Sequence, residues 1–121
     1  MRAVLALFTI CCVAGAAEKT VNWTGWFSDE GCAKGRVAAG LITPTNPDCA
    51  RSCIQKGAAA VFISEQAKAL YRVQGYERVV DDLGWHVQVE AAVDEEAHTV
   101  TIQKVTRMDY RGASCGRPTK K

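Results

Sequence analysis

The hydrophobic and polar positions of the chain change period several times, and each change marks an element. Across Val21–Ser28, Trp23, Gly25 and Phe27 alternate with Thr24, Trp26 and Ser28, which predicts a first strand. Residues 58–64, "AAAVFIS", form a short apolar run that reads as a buried second strand. "EQAK" turns the chain, and residues 69–73 supply its hairpin partner. Tyr76, Val79, Val80 and Leu83 then fall at i, i+3, i+4 and i+7, the stripe of an amphipathic helix closed by Gly84. In "WHVQVEAAV", Val87, Val89, Ala91 and Val93 share one face and His86, Gln88 and Glu90 the other. After the turn "DEEAH", a last strand is expected over residues 99–108.

One helix is expected between the first two strands. Asn46 is a capping residue, and Pro47 follows where its missing N–H loses no bond. Asp48 suits the positive end of a helix, and Gly57 stops it. Residues 31–45, with glycines 31, 35 and 40 and then Pro44, read as a loop. The resulting order, β-α-β-β-α-β-β, is mainly β. It predicts a five-stranded OB-like barrel with an inserted N-terminal helix, an open five-stranded sheet with two helices being the fallback.

Residues 1–17 stand apart: one early cation, Arg2, an apolar run too short to cross a bilayer, and then small residues. They read as a cleaved secretory signal, so the protein is expected to be exported, periplasmic or secreted. Cys11 and Cys12 would leave with it. A domain is then expected over residues 18–108, followed by a basic tail, 109–121, containing Cys115. No later stretch is apolar enough for a transmembrane segment.

Charge narrows the partners. Removing Arg2 from 15 cations and 13 acids leaves 15 − 1 − 13 = +1. Such a chain lacks the global field that gathers nucleic acid. The partner expected is an envelope ligand or protein. No cofactor motif, HExxH, G-x-S-x-G or P-loop is present, and no catalytic constellation can be picked out.

"WTGWFSDEGC", "CARSCIQKGAAAVFI" and "GWHVQVEAAVDEEAHTVTIQKV" together resemble a group of small exported bacterial proteins of unknown function. Their shared pattern is G-(Y/W)-(I/V/F)-S-D-x-x-C, then C-x-x-x-C with a following KG, then a late G-H-x-V-x-V strand. The resemblance covers residues 23–108 and implies export and fold, with no activity attached. Two positions depart from it. Arg36 stands where the family often has histidine, and Trp85 separates Gly84 from His86.

Cys32, Cys49, Cys53 and Cys115 remain after the leader, and an oxidising compartment favours disulfides. Residues i and i+4 on a helix hold their Cβ atoms about 5–6 Å apart, whereas a disulfide wants about 3.8 Å. Cys49 and Cys53 should therefore pair outward. The choice lies between Cys32–Cys53 with Cys49–Cys115, which is preferred, and Cys32–Cys49 with Cys53–Cys115. Each bond would add about 3 kcal/mol in the chain-entropy view. The function expected is a disulfide-stabilised, non-catalytic binding module. The alternative is a thiol-redox or metal-binding protein using Cys32, Cys49, Cys53 and Cys115, with Cys49 activated by the helix N-terminus.

Four further readings complete the picture. His86 and His98 are expected to be solvated. Adjacent Asp29 and Glu30 should point to opposite faces and serve a turn or loop-anchoring role. Trp26, with Tyr71 or Trp85, could offer an exposed aromatic surface for stacking a ligand; the competing reading packs these rings beneath the inserted helix. Asn22–Thr24 matches a glycosylation sequon, relevant only to a eukaryotic secretory pathway.

Overall fold

The structure, a computed structural model, describes residues 18–110. The expected leader and Cys115 lie outside the described residues. The elements are β1 (Lys19–Asp29), α1 (Glu30–Ala38), α2 (Pro47–Gln55), β2 (Ala60–Ser64), β3 (Ala69–Gln74), α3 (Val79–Asp82), β4 (Trp85–Asp94) and β5 (Thr99–Tyr110). Five strands close on themselves in the order β1-β2-β3-β5-β4. Every neighbouring pair is antiparallel except β3 and β5, which run parallel through Arg72↔Thr99 to Gln74↔Thr101.

β1 closes the sheet by changing partner along its length. Its first part pairs with β4 and its second with β2, and Gly25 belongs to both ladders, opposite Val87 and Ser64. A Cβ built on Gly25 would lie 1.8 Å from the Ile63 carbonyl oxygen. Only a residue without a side chain lets the two strands come this close.

Alternation sorts the side chains into two layers. Inside the closed sheet, Phe27, Phe62, Tyr71, Val87, Val89, Ala91, Val93 and Val100 form the main core. On the outer face, Val61 and Ile63 pack with Ala33 of α1 and with Val37, Ile42 and Leu70. β2 is thus covered on both faces, which explains its unbroken apolar run.

The segment expected to be a loop, residues 31–45, instead opens with α1. Asp29 caps it, its Oδ2 accepting from the Cys32 N–H at 3.0 Å. Gly40, at φ +80°, ends it: Gly40 N–H bonds to Val37 O and Leu41 N–H to Arg36 O, the paired bonds of a Schellman stop. Gly31 and Gly35 cost about 1 kcal/mol each in a helix; the Asp29 cap, the Schellman stop and the packing of Ala33 and Val37 against Val61 and Ile63 work against that cost. The order is therefore β-α-α-β-β-α-β-β.

α2 forms as its sequence signals predict. Asn46 Oδ1 accepts from Asp48 N–H at 2.9 Å and from Cys49 N–H at 3.2 Å, and Gly57, at φ +102°, supplies the same Schellman stop. The helix expected over Tyr76–Leu83 is a single turn, Val79–Asp82. Arg78 sits at its cap position without a side-chain capping bond. Its apolar stripe still faces inward: Val79 and Leu83 are buried, and the Tyr76 ring stacks on Phe27 at 5.4 Å.

Candidate functional site

Where β1 hands over to α1, three side chains from separate elements meet. Asp29 ends β1, Cys32 lies in the first turn of α1, and Cys53 lies in the last turn of α2. One carboxylate oxygen and the two Sγ atoms all fall within 4.8 Å of one another. Asp29 is fully buried, and among the described residues its Oδ1 has no hydrogen-bond partner. Its Oδ2 takes the Cys32 N–H. The Cys32 thiol is pushed up to about 12, first by its hydrogen bond to Asp29, then by burial, the Asp29 charge and the neighbouring Cys53. Proximity to a carboxylate keeps this thiol protonated.

The geometry bears on the three described cysteines. Cys32 and Cys53, the preferred pair, come together, and no disulfide joins the described cysteines. Cys49 is exposed and is not part of this cluster. Its expected partner Cys115 lies outside the described residues. Among the described residues, the group spaced to hold a metal is two thiols and a carboxylate, Asp29, Cys32 and Cys53. Asp29 could have been found in the sequence, since an Asp just before a helical segment is a cap signal. The glycine-rich composition of α1 masked that signal.

A second feature lies around the corner on the same helix. An open groove of about 410 Å³ runs between α1, β3 and the β4–β5 turn. Val37, Ala38, Ala69 and Leu70 give it an apolar floor, with Lys34 and the Glu30–Arg72 pair at its rim. Arg72 Nη2 reaches both Glu30 oxygens, at 3.0 and 2.9 Å. Glu30 thus turns outward while its neighbour Asp29 turns in, as the sequence predicts. With Lys34 and Arg72 against Glu30 alone, the rim is net positive. A cavity of about 420 Å³ beside α3 is more polar; Arg107 Nε donates to Asp82 Oδ1 at 2.8 Å there, and Arg78 lies 3.9 Å from Asp81.

The aromatic surface expected from Trp26, Tyr71 and Trp85 does not form. Trp26 is 5 % and Tyr71 3 % exposed, on different sides of the sheet. Tyr71 points into the main core, beside Trp23 at 5.0 Å, and donates to Glu95. Trp85 is half-buried beneath the Arg107 guanidinium, 4.9 Å from its ring.

His86 is not solvated either. It lies on the polar face of β4 as expected, yet it is only 9 % exposed. Its ring stacks on Trp26 at 4.8 Å, Nε2 is bonded to the Glu65 carboxylate, and Nδ1 stands 3.5 Å from Asp109 Oδ1. Sequence periodicity places a residue on a face but does not show what covers that face. His98, in the β4–β5 turn, is exposed and stacks on Tyr71.

Compared with known proteins, the chain matches no family model, no curated protein and no solved structure.

Proposed function

We propose that the protein is an exported, non-catalytic binding module of OB-like architecture, and that its ligand occupies the groove between α1 and β3. The single observation that carries this reading is where the groove lies. OB folds bind through the face of their second and third strands and through the loops joining strands one to two and four to five. Here the groove is lined by β3, by α1 in the first of those connections, and by Ala97 and His98 in the second. The strand order, with its parallel β3–β5 closure, supports the OB-like reading.

The lining selects a class of ligand. An apolar floor with a net-positive rim suits a small amphipathic molecule that has an apolar body and an anionic head near Lys34. The loss of an exposed aromatic platform argues against stacked sugars or bases as the main ligand. Cys32 is a poor candidate for thiol-redox chemistry, because a nucleophilic thiol needs a lowered pKa and this one is pushed the other way.

The anionic dye 8-anilinonaphthalene-1-sulfonate is a direct probe. Its fluorescence should rise on binding, with amide shifts at Val37, Leu70 and His98. Ala38→Trp, which fills the groove from an exposed helix position, and Lys34→Glu should each weaken binding. Unchanged dye binding in both variants would exclude the groove.

A further inference from the structure

We propose that Asp29, Cys32 and Cys53 form a zinc site that clamps the start of α1 to the end of α2. This site is separate from the ligand groove and stands whether or not that groove binds anything.

The donor set is the first argument. Two thiols and one carboxylate, within 4.8 Å of one another, form a mixed sulfur–oxygen set suited to Zn²⁺. Tetrahedral zinc with bonds of about 2.3 Å needs its sulfur ligands about 3.8 Å apart. The two sulfur atoms, within 4.8 Å of each other, have to draw together by no more than about 1 Å.

The second argument comes from the carboxylate. Asp29 is fully buried and absent from the ion pairs among the described residues, and its Oδ1 has no partner there. A buried carboxylate in that state calls for a compensating charge. A Cys32–Cys53 disulfide would make matters worse, since it removes the thiol proton that Asp29 now accepts. A cation instead resolves the crowding of three potential anions. The end of α2 agrees in sign. Cys53 lies in the last turn of α2, where carbonyls carry partial negative charge and no basic residue is present.

The proton balance is definite. Binding of one Zn²⁺ to two thiols and a carboxylate releases both thiol protons to solvent, forms two Zn–S bonds and one Zn–O bond, and changes no oxidation state. Three protein ligands leave a fourth position for water.

Cobalt(II) titration of the reduced full chain, without oxygen, tests the site. A one-to-one endpoint with thiolate-to-cobalt charge-transfer absorption is expected, and zinc should displace the cobalt. Calorimetry of zinc binding in buffers of different ionisation enthalpy should show two protons released. Cys32→Ser and Cys53→Ser should each abolish the absorption, and Cys49→Ser should leave it unchanged. Asp29→Asn is the sharper variant. Asparagine still caps α1 but carries no charge, so affinity should fall at least tenfold while the circular dichroism stays the same. Any of three results would overturn the proposal: no charge-transfer absorption, equal affinity in Asp29→Asn, or a Cys32–Cys53 disulfide forming under a glutathione couple with zinc in excess.

Discussion

Trp26 and His86 stack face to face on the outer surface of the closed sheet, their ring centroids 4.8 Å apart and their planes 22° from parallel. They sit one step beyond Gly25↔Val87, the last pair of the β1–β4 ladder. The contact therefore extends that ladder where the backbone pairing stops. Glu65, from the turn after β2, and Asp109, near the end of β5, meet the two imidazole nitrogens. One histidine thus ties together segments from four parts of the chain.

The pair should behave as a unit on unfolding. Trp26→Ala is expected to cost about 3–5 kcal/mol, the usual range for an aromatic truncated in a packed site. His86→Ala should cost about 1–3 kcal/mol, because the Glu65 carboxylate loses its partner. In urea titrations the double variant should be less destabilised than the sum of the singles, by about 0.5–1.5 kcal/mol. Strict additivity would mean that the stack contributes nothing of its own.

Two glycines should respond in opposite directions to the same change. Gly25→Ala places a Cβ 1.8 Å from the Ile63 carbonyl oxygen, and both partners are sheet backbone. The ladder must part, and a loss of more than about 2 kcal/mol is expected. Gly35 lies within α1, and a Cβ there would meet nothing within 4 Å. Gly35→Ala should stabilise the protein by about 0.5–1 kcal/mol through helix propensity and a less flexible unfolded chain. Thermal melts of the two variants, moving down and up respectively, would check both.

That contrast also explains what the sequence made legible. Strand positions were readable because alternation and apolar runs depend on local geometry, and α2 was readable because Asn46, Pro47 and Gly57 signal their roles chemically. α1 was not, since its glycines weaken the local signal and it is held by Ala33 packing onto β2, a contact distant in sequence. The same limit applies to the candidate sites. Cys32 and Cys53 could be proposed as neighbours, yet the third member of their cluster, Asp29, was visible only as an anchor for the turn. His86 looked solvated because nothing near it in sequence shows that Trp26, Glu65 and Asp109 cover it. Alternation alone likewise left Tyr71 open to a surface role, and only closure of the sheet turns its ring into the core.

Stability at high pH should be set in part by two tyrosines. Burial is the main cause that pushes Tyr71 up to about 12, with further contributions from its hydrogen bond to Glu95 and the Glu95 charge. Tyr76 is likewise pushed up to about 12 by burial and then by Asp82, with Arg78 and Arg107 acting in the opposite direction. An unfolded tyrosine ionises near about 10. Between these values the unfolded chain has released phenol protons that the folded protein still holds, so stability must fall as pH rises. The decline should begin near pH 10 and continue to about pH 12. Urea midpoints measured across that range should show it, and Tyr71→Phe and Tyr76→Phe should each make the slope shallower. A slope unchanged in both variants would mean that these phenols ionise equally well in the folded and unfolded chain.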